Sequence, residues 1–222
     1  MTLPLLSVIV PVHDGERFLA EALDSVLGQD YEPLEVIVVD DGSTDGSSAI
    51  AQARGVRYFV QPNRGPGAAR NAGIAAARGE LVAFVDQDDV WLPGKARTQV
   101  DLLLARPEVG LVYTRMEVFV EPGAPLPDWT PADWLDEPPV GYCPSTLMAR
   151  RDVFDVVGDF DPEYVAFSDG EWFMRVRRAG IETHVLDDVT VRYRIHGDNQ
   201  SHDRDVFRDE LMRSLRPPKQ AE

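Results

Sequence analysis

Leu81-Val82-Ala83-Phe84-Val85 is an unbroken apolar run that stops at Asp86-Gln87-Asp88-Asp89. A run of this length reads as a strand buried on both faces, which requires a sheet covered by helices on either side. Side chains alternate along an extended segment, so Asp86 and Asp88 are expected on one side and Gln87 on the other. Carboxylates converging at a strand end repel one another, and a divalent cation is the usual remedy. Hard oxygen ligands in a partly open site favour magnesium or manganese, with room for a phosphate-bearing substrate. The plainer reading is a polar strand end whose acids cap the following helix.

The preceding chain alternates strands and helices. Strands are expected at residues 5–10, 34–39 and 56–60. Phe18/Leu19, Ala22/Leu23 and Val26/Leu27 recur at helical spacing, with Asp14 as the expected cap. A second helix, capped by Ser43 or Asp45, runs to about Ala53, and an alanine-rich third helix follows the loop at Asn63-Arg64-Gly65-Pro66-Gly67. This alternation predicts an α/β fold with a doubly wound, mostly parallel sheet, because parallel neighbours need a crossover. Ligands bind beyond the carboxyl ends of such strands. Three acidic clusters fall there: Pro11 to Asp14, Asp40 with Asp41, and Asp86 to Asp89.

Further on, a helix is expected at residues 94–105 and a strand at 110–120. Residues 121–139 then carry Pro122, Pro125, Pro127, Pro131, Pro138 and Pro139, with Trp129 and Trp134. Such a length without evident structure suits a lid, or a surface insertion whose aromatics fold onto the body. A short helix from about Arg151, a helix near residues 171–179, and strands at 183–186 and 189–195 follow. No clean linker divides the halves, so residues 1–201 read as one domain, split near residue 107, followed by a helical tail at 202–222. In that tail Arg204, Arg208, Arg213 and Arg216 alternate with Val206, Phe207, Leu211 and Leu215. This suits docking onto the body, onto a second subunit in a homodimer, or onto an anionic bilayer. Asp203, Asp205, Asp209 and Glu210, interleaved, weigh against the bilayer.

The 22 basic residues against 38 acidic ones give a formal charge of −16, which excludes nucleic acid as a partner. An anionic substrate on such a chain must be neutralised locally, by metal, arginine or helix N-termini. Lysine occurs only at Lys95 and Lys219. The single cysteine, Cys143, fits a reducing compartment, and no apolar run reaches the length of a membrane span. A cytoplasmic protein is expected, with a peripheral place at the inner face of the membrane as a variant of that expectation.

In order along the chain, Ser7-Val8-Ile9-Val10-Pro11-Val12, Val38-Val39-Asp40-Asp41-Gly42-Ser43-Thr44-Asp45, Asn63-Arg64-Gly65 with Ala69-Arg70-Asn71-Ala72-Gly73, Asp86-Gln87-Asp88, Phe167-Ser168-Asp169-Gly170-Glu171 with Arg175, and Tyr193-Arg194-Ile195-His196-Gly197-Asp198-Asn199-Gln200-Ser201 resemble the motifs of glycosyltransferase family 2, whose fold is GT-A. The resemblance implies a nucleotide diphosphate sugar donor (uridine, thymidine or guanosine), a hydroxyl acceptor and a divalent cation, Mn2+ or Mg2+. It implies that Pro11, Val12, His13, Asp14, Asp41, Arg70, Asp86 and Gln87 meet the nucleotide, that Asp88 binds the metal with Asp86 facing ribose or metal, and that His196 approaches diphosphate or metal. It makes Asp169 the general base of a single inverting displacement. His13-Asp14 stands where the family usually has tyrosine and asparagine, and Ser168 where a glutamate is common.

Each residue also has a plainer role. Asp169 would N-cap the helix that follows, Arg175 would be solvated, and Trp172 and Phe173 would be core. Two other functions fit parts of the chain. Asp86-Gln87-Asp88-Asp89-Val90 matches the nucleophile motif of haloacid-dehalogenase-like phosphatases, but those need it on an early strand with a downstream lysine, and Lys95 is too close while Lys219 lies in the tail. A nucleotide-sugar-binding domain without catalysis would be favoured by loss of the metal or base aspartate, and both are present.

Overall fold

The computed structural model describes residues 3–127, 130–197, 199 and 204–215. Trp129, Asp198, Gln200, Ser201, Asp203, Arg216 and Lys219, and the side chain of Arg204, lie outside the described residues.

Strands β1 (Leu6–Val12), β2 (Leu34–Asp40), β3 (Arg57–Val60) and β4 (Leu81–Phe84) pair in parallel in the order β3-β2-β1-β4. Helices α1 (Leu19–Leu27), α2 (Ser47–Ala53) and α3 (Pro66–Ala76) connect them. The two-residue period of β1 splits its side chains between two cores: Leu6, Val8, Val10 and Val12 face one, Ile9 the other. Likewise Leu81, Ala83 and Val85 join the first core, while Val82 and Phe84 join the second. Leu19, Leu23 and Val26 of α1 fill the first, with Ala96, Val100 and Leu103 of α4 (Lys95–Ala105). Ala69 of α3 fills the second, with Phe154 of α5 (Asp152–Val157) and Trp172 and Val176 of α6 (Ser168–Arg178). Fully burying each large apolar side chain contributes about 1.5–3 kcal/mol over leaving it in water. Helix α3 reaches the sheet through Gly73, where an added Cβ would lie 2.3 Å from Ile9 Cγ2.

The same sheet continues as β4-β7-β6-β8-β5, with β5 (Val90–Trp91), β6 (Leu111–Val120), β7 (Met148–Arg150) and β8 (Thr183–Ile195). Four pairings are parallel and three, involving β7 or β5, antiparallel. The expected strands at 183–186 and 189–195 are one strand, whose parallel ladder with β6 absorbs the irregularity near Arg115. A two-residue strand, β5, had no signal of its own; after the acidic turn the chain crosses to the far edge and pairs with β8.

Helix α1 begins at Leu19, with Phe18 rather than Asp14 at its cap. Asp14 adopts a left-handed conformation, φ 47°, and its Oδ1 accepts from the Thr44 amide at 2.7 Å. It ties the loop after β1 to the loop after β2. Residues 121–139 are anchored at both ends. Glu121 pairs with Arg17 and Arg194, and Arg115 donates to the Pro138 carbonyl at 3.1 Å. Between the anchors, Ala132–Leu135 forms a 3-10 turn and Trp134 packs against the first core. Helix α7 (Arg204–Ser214) docks on the body through α6, but its buried residues are Glu210 and Ser214 rather than the expected apolar stripe.

Candidate active site

The carboxyl ends of β1, β2 and β4 lie along one edge, and side-chain hydrogen bonds knit them together. Gln87 clamps the backbone of His13, accepting from its amide at 2.8 Å and donating to its carbonyl at 3.1 Å. His13 Nδ1 meets the Asp41 carbonyl at 3.1 Å, and Asn63 Nδ2 meets His13 Nε2 at 3.2 Å. Pro11 and Val12 are buried in β1 immediately before this junction. Asp41 is buried, and its carboxylate accepts from Gln61 Nε2 and from the amides of Arg64 and Gly65 at 2.7–2.9 Å. It therefore braces the loop that opens α3. Asp40 is structural, accepting from the Ser43 amide and the Tyr58 hydroxyl.

Beyond Val85 the extended alternation ends. Residues 86–89 form a turn closed by the Asp89 amide on the Asp86 carbonyl at 3.1 Å, so Asp86 and Asp88 engage different partners. Asp86 Oδ1 accepts from Arg70 Nη2 at 2.8 Å. Asp88 Oδ2 lies 2.8 Å from His196 Nε2 and 3.3 Å from Asn199 Nδ2. The sheet explains the second meeting. The antiparallel register Val90↔Arg192, carried two residues outward, sets Asp88 opposite Arg194, with His196 just past the end of β8.

Arg194 was not singled out in the sequence, yet it holds this corner. Its guanidinium pairs with Glu21 and Glu121, and its Nε donates to the Asp88 carbonyl at 2.8 Å. It lies over the rings of Phe18 and Phe119 at 4.5 and 4.7 Å. Asp89 is buried, accepting from the Arg194 amide and the Ser145 hydroxyl.

Asp169 approaches from the other half, in the first turn of α6. The helix starts at Ser168, so Asp169 is inside it and not its cap, and its Oδ1 accepts from the Gly170 amide. Burial pushes its carboxyl above the usual carboxylate range, Arg70 pulls it back, and Asp86 pushes it up again. Arg70 is thus ion-paired with Asp86 and also feels the charge of Asp169. Burial works against its charge and both carboxylates support it, while its Nε is buried without a hydrogen-bond partner. Glu171 turns elsewhere, accepting from Arg175 Nε at 2.8 Å. Arg175 is no solvated arginine; it also donates to the carbonyls of Val157 and Asp159. Trp172 is fully buried, donating to the Gly158 carbonyl.

Among the described residues no group of three or more His, Cys, Asp or Glu side chains is gathered into a metal centre. The pair of Asp88 and His196 nevertheless fits a hard cation that keeps part of its shell as water and phosphate oxygens. Lys95, which a phosphatase would need beside Asp86, is buried with its Nζ on Gln99 Oε1 and the Thr146 carbonyl. No described helix is long and apolar enough to cross a membrane.

In overall shape the chain is similar to TarS of S. aureus in complex with UDP-GlcNAc, with a TM-score of 0.71 at 23% identity over 89% of this chain and 60% of that one. It is similar to the mannosyltransferase PcManGT of Pyrobaculum calidifontis in complex with GDP-Man and Mn2+, with a TM-score of 0.67 at 22% identity over 91% of this chain and 59% of that one. The fold is GT-A. In sequence it is 33% identical over 217 residues to an uncharacterized glycosyltransferase of Nostoc sp., covering 87% of this chain and 66% of that one. It is 30% identical over 215 residues to one of Rickettsia felis, covering 89% of this chain but only 35% of the relative. The profile described as Glycosyl transferase family 2 matches residues 7–158, and the chain belongs to that family.

Proposed function

We propose that the chain is a metal-dependent, inverting glycosyltransferase that moves a sugar from a nucleotide diphosphate donor to an acceptor hydroxyl. The observation that carries this reading is the convergence of Asp86, Asp88, Arg70, Asp169 and His196 at the carboxyl edge of the parallel strands. UDP-GlcNAc and GDP-Man in the structurally similar proteins support a nucleotide sugar as donor.

In this reading the nucleotide lies along the ends of β1 and β2. Pro11, Val12, His13, Asp14 and Asp41 border the base, and Arg70, Asp86 and Gln87 lie toward ribose and phosphates. Asp88 and His196 would hold the divalent cation, with Asp86 beside them. Bound there, Mn2+ or Mg2+ supplies Lewis-acid stabilisation of charge developing on the diphosphate. Asp169 takes the proton of the acceptor hydroxyl as its oxygen bonds to the anomeric carbon. The bond from that carbon to the phosphate oxygen breaks, and the nucleoside diphosphate leaves with the electron pair. A base must be ionised and within hydrogen-bond reach of the nucleophile. Arg70 favours the ionised form electrostatically.

A thermal-shift screen of uridine, thymidine and guanosine diphosphates, with and without manganese, tests the reading. One of them should raise the melting temperature by mass action, and more so with the metal. No shift with any diphosphate at millimolar concentration, with or without manganese, would count against it.

A further inference from the structure

Glu210 lies on α7, beyond the residues that match the family profile, and it is buried. Its carboxylate accepts from three consecutive amides: Val165 at 2.9 Å, Ala166 at 2.9 Å and Phe167 at 2.8 Å. These amides immediately precede Ser168 and Asp169. The cap residue of α6, Phe167, offers no side-chain hydrogen bond to the helix end. A carboxylate at the positive end of a helix, receiving three N–H bonds, is held by charge-assisted hydrogen bonds and by the helix dipole. A buried carboxylate of this kind has few alternatives to that geometry.

The rest of α7 reinforces the contact on both sides. Arg213 donates to the Glu163 carbonyl at 2.7 Å and lies over the Tyr164 ring at 3.9 Å. Phe207 meets Phe167 edge-on at 5.2 Å, and Arg178 of α6 donates to the Ser214 carbonyl at 3.0 Å. At the other end of the same connector, Asn71 grips the backbone of Phe160 through both its amide atoms, at 2.7 and 2.9 Å. Asn71 is the neighbour of Arg70. The segment carrying Asp169 is therefore held from the donor half by α3 and from the tail by α7.

We propose that Glu210 is a positioning residue for Asp169, and that α7 serves as a clamp setting the base against Arg70 and the acceptor. This rests on the reading of Asp169 as the base.

The test uses the full chain with Glu210→Ala, Glu210→Gln and Asp169→Asn. Hydrogen exchange at residues 163–171 reads the clamp, and release of nucleoside diphosphate from UDP-GlcNAc or GDP-mannose with manganese reads the chemistry. Glu210→Ala should speed exchange at Val165 to Phe167 by roughly tenfold or more, as expected for loss of charge-assisted bonds. It should lower kcat by roughly tenfold while donor KM stays within about twofold, the pattern of lost transition-state positioning. Glu210→Gln, keeping one acceptor oxygen, should fall between wild type and alanine in both readouts. Unchanged exchange, or faster exchange with unchanged kcat, overturns the proposal; so does a parallel fall of kcat, donor affinity and melting temperature in both variants. If the alanine variant does not fold, the glutamine variant is judged by the same criteria. Full turnover in Asp169→Asn would instead sink the base assignment, while the exchange data still report on the clamp.

Discussion

Asp88 Oδ2 and His196 Nε2 stand 2.8 Å apart although 108 residues separate them. The contact is made by β5, two residues long, which draws the acidic turn alongside the end of β8. Both side chains are largely shielded from solvent, and the two groups already stand within hydrogen-bond distance rather than having to find each other.

Asp88→Ala and His196→Ala should each weaken manganese-dependent binding of a nucleoside diphosphate, with a folded protein in both cases. Isothermal calorimetry with and without manganese measures this directly. Equal affinity in wild type and both variants under both conditions would refute the metal assignment.

Asp169→Asn keeps size and hydrogen-bonding capacity but cannot accept a proton, and should cut turnover by roughly 10²–10⁴-fold with donor affinity nearly unchanged. Glu171→Gln breaks a pair with Arg175 that fixes the α5–α6 connection. It should cost about 1–2 kcal/mol of stability and leave turnover within a small factor. A dead Glu171→Gln beside an active Asp169→Asn would reverse the two roles.

Lys95 gives stability a pH dependence of its own. Burial lowers its pKa from 10.5 to about 7. Between those values the unfolded chain holds a proton that the folded one has released, so stability rises with pH; below about 7 both states are protonated and the cost of the buried charge is fully present. From pH 7 to 9 the gain should be roughly 2–3 kcal/mol, and Lys95→Met should abolish it. Above the ordinary thiol value of 9.0, Cys143, whose pKa is raised by burial, works in the opposite direction. Urea unfolding at each pH makes the comparison, and identical slopes in wild type and variant would exclude Lys95 as the source.

The stretch between Glu121 and Pro138 is anchored at its two ends, with Trp134 against the core. As a lid it should close on donor binding, and limited proteolysis between residues 122 and 131 should slow when donor and manganese are added together. Cleavage at an unchanged rate would identify it as a passive surface insertion.

Local order along the chain was enough to read the first half. The apolar runs leading up to Val12, Asp40 and Phe84 have the length of buried strands, the helix after the first carries a 3.6-residue stripe, and parallel pairing forces their acidic ends onto one edge. That puts the strand ends carrying His13, Asp41 and Asp86 on one edge, with Asp88 expected on the same side as Asp86, and the ordered motifs point to the family. The tertiary structure decided what pairing across distant segments controls. β5 is too short to carry a periodic signal, so the meeting of Asp88 with His196, and the hub at Arg194, depend on its register with β8. The turn at 86–89 overrode the extended alternation because its hydrogen bond closes the chain where the parallel ladder ends. Glu210 lies among interleaved acids and arginines on a helix expected to dock through its apolar side chains; only its burial against three backbone amides distinguishes it from the neighbouring acids.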